Sequence, residues 1–253
     1  MEKKRWPINE PFRFDIIELH ITYRCDLACV GCNRACFLPE PHTPDMNLAD
    51  VVKFLDEMYE AGISIKCLKI IGGEPTLHPE FMAIVECLWE RLGVHGVELH
   101  LMSNLYSSET RSLADWVANT FPAIQINPNV FHKQKTESVV FAEETRYAFC
   151  SPRDAWIDSP GPCIQMCGRS KGCGASVDKL GYTLCPVGGT IDSLLGLHAR
   201  ATKVCQMLDQ GFVRNQAETL CAHCGMYLNC STIQETWDHN GTPMSRSYHE
   251  QQR

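Results

Sequence analysis

The stretch "FDIIELHITYRCDLACVGC" (Phe14–Cys32) decides how this chain is read. Its first half, Phe14 to Thr22, reads as a buried strand. Its second half places three thiols, Cys25, Cys29 and Cys32, within eight residues, with three and then two residues between them. Thiolates are soft ligands that suit iron–sulfur clusters and zinc. A four-iron cube normally takes four cysteines, so a loop that offers three leaves one iron free to bind a small molecule. A structural zinc site wants four ligands, often as Cys-x2-Cys pairs. Cys29 and Cys32 form one such pair and Cys36 is available as a fourth ligand, so the loop alone leaves zinc open.

The bulk properties narrow the field. The chain has 253 residues, 44% of them hydrophobic, enough for one large domain or one domain with an appendage. Its formal net charge is −7 and it has no long Lys/Arg run, which disfavours nucleic acid or an anionic membrane as partner. "MEKKRWPINEPFRFD" is followed by no apolar signal core, and no window is long and apolar enough to span a bilayer, so the expected compartment is the cytoplasm. Fifteen cysteines in a reducing compartment argue for metal or cluster ligation rather than disulfides.

Strands and helices alternate after the opening stretch. Leu48, Val52, Leu55 and Tyr59 recur at helical spacing, with Asn47 or Asp45 as cap and Gly62 beyond the end. "IKCLKIIGG" (Ile65–Gly73) reads as a second strand. Phe81, Ile84, Val85, Leu88 and Leu92 mark a second helix with Pro79 in its first turn. "VELHLM" (Val97–Met102) is a third strand. Leu113, Trp116, Val117 and Phe121 mark a third helix, and "AIQIN" (Ala123–Asn127) a fourth strand. Such alternation implies parallel strands with right-handed crossovers. Residues 133–149 look helical. From Cys150 the texture turns rich in Gly, Pro and Cys. Gly174 to Asp192 suggests a hairpin turning at Asp178–Gly181, and Leu197 to Leu208 one more helix. The expected division is 1–150, 151–236 and a polar tail at 237–253.

"IIGGEPTLHP" (Ile70–Pro79) sets Gly72, Gly73, Glu74 and Pro75 at the C-terminal end of the second strand, the edge where parallel α/β folds bind ligands. Alone it reads as a tight strand-to-helix turn. Beside a three-cysteine loop it resembles the second-strand motif of the radical SAM superfamily, and "CDLACVGC" resembles that family's cluster loop. The resemblance covers roughly Phe14 to Asn127. It implies a partial (β/α) barrel, shortened here, in an α/β fold with a small Cys-rich α+β extension. It also implies that Cys25, Cys29 and Cys32 hold a [4Fe-4S] cluster whose open iron chelates S-adenosylmethionine (SAM). Gly72, Gly73 and Glu74 would contact the SAM amino end, with Ser103 and Asn104 near its ribose or carboxylate. Family loops usually carry an aromatic residue before the last cysteine; here it is Gly31, so the adenine must find another partner, such as Phe37 or a backbone strand. The implied chemistry is reductive cleavage of SAM to a 5′-deoxyadenosyl radical that takes a hydrogen atom from the substrate, with flavodoxin or ferredoxin as electron donor.

"CGASVDKLGYTLC" and "CAHCGMYLNC" resemble the twitch and SPASM extensions of the same superfamily. The ligands this implies are Cys173 or Cys167, Cys185, Cys221 and Cys224, with Cys230 continuing the SPASM spacing. The next SPASM position is Gln234, so a single auxiliary cluster is the simpler expectation, and a zinc site built from the same cysteines is its competitor. Cys36, Cys67, Cys87, Cys150 and Cys205 read as packing residues.

Three functions compete. One is an enzyme acting on a small polar metabolite, as the length and layout of the single-cluster dehydrogenases suggest. Another is a peptide-modifying enzyme; with about fourteen residues before the first strand, a leader-binding domain is expected to be absent. The third is a non-catalytic iron–sulfur or zinc-braced scaffold. No catalytic residue beyond the cluster loop is assigned. Asn127, Asn129, His132, Arg146, Arg153, Asp154 and Asp158 are candidates that ordinary turn or surface chemistry also explains.

Overall fold

The structure is a computed structural model, and the residues it describes are 12–27, 32–36, 38, 40–128 and 174–224. Three strand–helix units and a fourth strand come first among the described residues: β1 (Phe12–Thr22), α1 (Leu48–Glu60), β2 (Ile63–Gly72), α2 (Phe81–Arg91), β3 (Glu98–Ser103), α3 (Ser108–Thr120) and β4 (Gln125–Pro128). A hairpin of β5 (Ala175–Asp178) and β6 (Gly181–Thr183) follows, then α4 (Gly188–Leu195) and α5 (Gln210–Cys221).

The sheet order is β4-β3-β2-β1-β5-β6. The first four strands pair in parallel in sequence order. Right-handed crossovers then put α1, α2 and α3 on a single face. Ile17, Leu19, Ile21, Leu68, Ile70, Leu99 and Leu101 line that face, and they form one apolar core with Phe54, Leu55, Met58, Ile84, Leu88 and Val117 from the helices. β5 lies on the other side of β1, parallel to it, and β6 is antiparallel to β5. The described part of the cysteine-rich segment, from Gly174 on, therefore extends the same sheet. Among the described residues no further barrel strand follows β4.

Local chemistry explains most boundaries. α1 starts at Asn47, whose side chain accepts from the Asp50 N–H while Asp50 reaches back to the Asn47 N–H, a complete capping box. It ends before Gly62, which holds φ +65. Its fully buried face is Val51, Phe54, Leu55 and Met58, with Leu48 and Tyr59 partly buried against the core at its edge, while Val52 is displaced because Phe54 and Met58 supply the bulk that fills the core. Pro79 sits just before the Glu80 cap of α2 instead of in its first turn.

Two expectations are corrected. The hairpin is shorter than Gly174–Asp192, since α4 begins at Gly188. The helix read over Leu197–Leu208 is absent: Ala201 bridges to Tyr182, Val204–Leu208 is a short 3-10 turn, and the helix is α5, capped by Asp209. Cys205 is consequently exposed and not core packing, whereas Cys36 and Cys67 are buried and Cys87 is half-buried. The segment read as helical at 133–149 lies outside the described residues.

Candidate active site at the C-terminal ends of the strands

Parallel strands deliver their following loops to one edge, and three sequence motifs meet there. The backbone of β2 continues its ladder with β1 past the last strand residue: the Gly73 N–H donates to the Thr22 carbonyl (2.9 Å) and the Glu74 N–H to the Arg24 carbonyl (2.8 Å). The two glycines make this approach possible. A Cβ at Gly72 would fall on the Thr22 carbonyl oxygen; one at Gly73 would fall on that of Arg24 and come within 3.1 Å of the Cys25 Cβ. The close neighbour on the Cβ side is thus the end of β1 for Gly72 and the start of the cysteine loop for Gly73.

Glu74 fixes the third strand to the same point. Its Oε1 accepts from the Thr76 N–H (3.2 Å), the Thr76 hydroxyl (2.8 Å) and the Ser103 hydroxyl (3.0 Å), and its Oε2 accepts from the Asn104 N–H (2.7 Å). The side chain is fully buried. Burial pushes its carboxyl above the ordinary range, while the donors from Asn104, Thr76 and Ser103 pull the other way. Pro75 is buried in the short 3-10 turn Pro75–Leu77 that Glu74 caps. Asn104 reaches back to the cysteine loop, its Nδ2 lying 2.7 Å from Asp26 Oδ1 and 3.9 Å from Cys25 Sγ.

The described residues flanking the loop are held by side-chain contacts. The Thr22 hydroxyl donates to Asp45 (2.7 Å), Arg24 pairs with Asp45 (2.8 Å), and Arg34 pairs with Glu18 (2.6 Å) on β1. Cys32 and Cys36 share a hydrogen bond that holds the Cys32 thiol well below its ordinary range, against the opposing effect of burial. The same bond, together with burial, pushes the Cys36 thiol up. Cys29 and Phe37 lie outside the described residues.

Below this edge the sheet face away from the helices is polar. Register aligns Gln125, His100, Lys69, Glu18, Ser176 and Thr183 into one row that crosses all six strands. Glu18 is buried, with Arg34 at 2.6 Å and Lys69 at 3.7 Å. His20, above it on β1, is 1% exposed and neither ring nitrogen has a hydrogen-bond partner. Burial first, then Arg34, lowers its basicity, so it is a neutral imidazole. Sequence reading missed this row, although the alternation Glu18, His20, Thr22 against Ile17, Leu19, Ile21 was a signal of it. Asn127 is placed beside His100 at 3.1 Å. Asn129, His132, Arg146, Arg153, Asp154 and Asp158 lie outside the described residues.

In the second cysteine region, Cys224 is buried in a small apolar cluster with Val187, Ile191 and Leu220, and Cys185 packs against it. Cys221 ends α5, three residues before Cys224. Cys167, Cys173 and Cys230 lie outside the described residues. A buried network ties this region to the barrel. Arg200 bonds Asp178 (2.8 Å) and Asp192, and the Tyr23 hydroxyl donates to Asp178 (3.1 Å).

The Radical SAM superfamily model matches a domain over residues 19–143 of this chain. Such a domain uses a [4Fe-4S] cluster and SAM. The residues fit that pair: Cys32, whose thiol pKa is lowered by its bond with Cys36, and Cys25 beside the Gly73 backbone at the strand edge. Among curated proteins, the chain is 31% identical over 88 residues to an S-adenosylmethionine-dependent nucleotide dehydratase of Selenomonas ruminantium, covering 35% of this chain and 29% of that protein. It is 26% identical over 132 residues to a GTP 3′,8-cyclase of Haemophilus influenzae, covering 49% of this chain and 38% of that one. The match thus spans roughly a third of those relatives' length. Among solved structures, BtrN in complex with AdoMet and 2-DOIA superposes with a TM-score of 0.51 at 12% identity, covering 83% of this chain and 88% of that one, a likeness of fold. No described helix is long and apolar enough to cross a membrane.

Proposed function

We propose that this protein is a radical SAM enzyme that acts on a small polar metabolite, removing a hydrogen atom from it in an oxidation or a related rearrangement. Cys25, Cys29 and Cys32 would hold the cluster, which when bound supplies the electron that cleaves the SAM sulfonium to the 5′-deoxyadenosyl radical. The Gly72–Gly73 backbone would lie along the SAM amino end, and Ser103 and Asn104 near its ribose or carboxylate. In this role Glu74 acts by position: its carboxylate, occupied by Thr76, Ser103 and Asn104, keeps the β2 and β3 edges in register beside the loop.

The observation that carries the substrate reading is the polar row on the inner face. A neutral His20, stacked on Tyr23 with Glu18 3.7 Å from its Nε2 and no hydrogen bond on either ring nitrogen, can donate one hydrogen bond and accept another. Arg34 and Lys69 both stand beside Glu18 and offer guanidinium and ammonium donors to a ligand with an anionic group. The names of the two curated relatives point to nucleotides, so nucleotides head the set of metabolites to test. Cys185, Cys221 and Cys224, with Cys173 or Cys167, would hold an auxiliary cluster, with Cys230 as a further candidate ligand. Flavodoxin or ferredoxin would deliver the electron.

The test is anaerobic incubation of the reconstituted, reduced protein with SAM and a panel of nucleotides, sugar phosphates, amino acids and short peptides. Deoxyadenosine release stimulated by a metabolite, with deuterium passing from that labelled metabolite into deoxyadenosine, is the expected result. Stimulation by peptides alone would overturn the metabolite reading.

A further inference from the structure

Cys67, Glu98 and His100 lie on the inner face, away from the cysteine loop. Cys67 is the register partner of Glu98 across the β2–β3 ladder, and His100 follows Glu98 by two residues, so all three side chains leave the same face. One ligand atom from each, the Cys67 Sγ, a Glu98 oxygen and a His100 ring nitrogen, lie within 4.8 Å of one another. From Cys67 to the end of β2 at Gly72 the strand rises about 16 Å, at roughly 3.3 Å per residue. These groups therefore do not serve the cluster loop.

A second observation points to a ligand. The Nε2 of His100 is buried and has no hydrogen-bond partner, while its Nδ1 lies 3.1 Å from the Asn127 side-chain amide. A metal-bound imidazole has this arrangement: one nitrogen on the ion, the other fixed by an outer partner. As it stands the Asn127 amide nitrogen faces Nδ1 and also the Gln125 carbonyl at 3.5 Å; metal binding through Nε2 turns the amide, so that Nδ1–H donates to its oxygen at the expense of that long contact. Among the described residues two cations act on Cys67, Lys69 on the same face and Lys66 next to it in the chain, with Lys69 the stronger. It is paired at 3.7 Å with Glu18 on β1, and β1 flanks β2 on the side opposite β3, so its charge is drawn away from the three groups.

We propose that Cys67, Glu98 and His100 bind a divalent zinc-like ion that clamps β2 to β3 on the inner face. A thiolate, an imidazole and a carboxylate are the donor set of a zinc site, with a fourth position left to water or a further ligand. The ion replaces the proton of the Cys67 thiol, which is released to solvent; no electron moves.

The test uses the cluster-loaded protein. It is equilibrated with a small molar excess of zinc, passed through a desalting column, and its zinc and iron are counted together. The expected result is zinc retained by the wild type and lost by roughly tenfold or more in Cys67→Ala and His100→Ala, with iron unchanged. Because Cys67 is buried and its replacement can disturb the strand, Glu98→Gln on the exposed side of the site is the second variant, and it is expected to weaken retention with no change in unfolding midpoint. X-ray absorption at the zinc edge should show a single sulfur among nitrogen and oxygen neighbours. Equal zinc in wild type and all three variants, zinc gained only as iron is lost, or a sulfur-only shell would each overturn the proposal.

Discussion

Glu74 shows how much one side chain can organise. Three residues donate to its carboxylate, so replacing it removes acceptors from buried N–H and O–H groups on two strand ends. Glu74→Gln keeps one good acceptor and turns an NH2 toward the remaining donors. It should lower stability by about 1–3 kcal/mol in urea unfolding and weaken SAM retention. A second residue-scale prediction concerns acid. Burial lowers the basicity of His20, His42, His78 and His100. For each, the folded state binds fewer protons than the unfolded chain between the lowered value and the ordinary one near 6.5. Their contribution is therefore present above about pH 6.5 and is lost as the pH falls below it. Urea midpoints should drop between pH 7.5 and 5.5, and His20→Gln should reduce that drop. Single-residue chemistry was readable where residue type and spacing carry it, as in the cysteine loop and the Gly-Gly-Glu-Pro turn. The row formed by His100, Lys69 and Glu18 was not, because each lies on a different strand and only register brings them together.

At the scale of elements, the β2 edge and the cysteine loop fit only if Gly73 carries no side chain. Gly73→Ala should leave α1, α2 and the core in place yet push the loop outward, so the reconstituted variant is expected to fold with near wild-type circular dichroism and a clear loss of bound iron. Leu88, fully buried in the core under α2, provides the contrast. Leu88→Ala should cost about 2–5 kcal/mol of stability and leave cluster content per folded molecule unchanged. Helix positions were legible from periodicity because the α1–α3 stripes are long and their caps are local. The error at Leu197–Leu208 has a tertiary cause. The apolar spacing there is helical, but His198 takes φ +54 and Ala201 pairs with Tyr182, so the chain joins the hairpin before it can wind. The shift of the α1 face has a similar origin, since Phe54 and Met58 are larger than Val52 and win the core.

Over the whole molecule, the cysteine-rich segment and the barrel share one sheet and one buried charge network. Arg200 carries it, its side chain 5% exposed between Asp178 at the hairpin turn and Asp192 on α4. Arg200→Met would leave two carboxylates buried without their partner, and a loss of about 3–5 kcal/mol in a denaturant titration is expected. The parallel α/β plan was legible in the alternation of strands and helices. That β5 would extend the sheet beside β1 was not, because pairing between segments far apart in sequence leaves no local pattern. The account as a whole rests on three cysteines presenting an incomplete ligand set at the strand edge. The most direct measurement is deoxyadenosine formation by anaerobically reconstituted, dithionite-reduced protein, read beside its iron count, in the wild type and in Cys32→Ala. The account predicts an iron–sulfur cluster and SAM cleavage in the wild type, and loss of cleavage in the variant. A wild type that carries zinc in place of iron at this loop, or that holds its cluster yet leaves SAM intact, would contradict it.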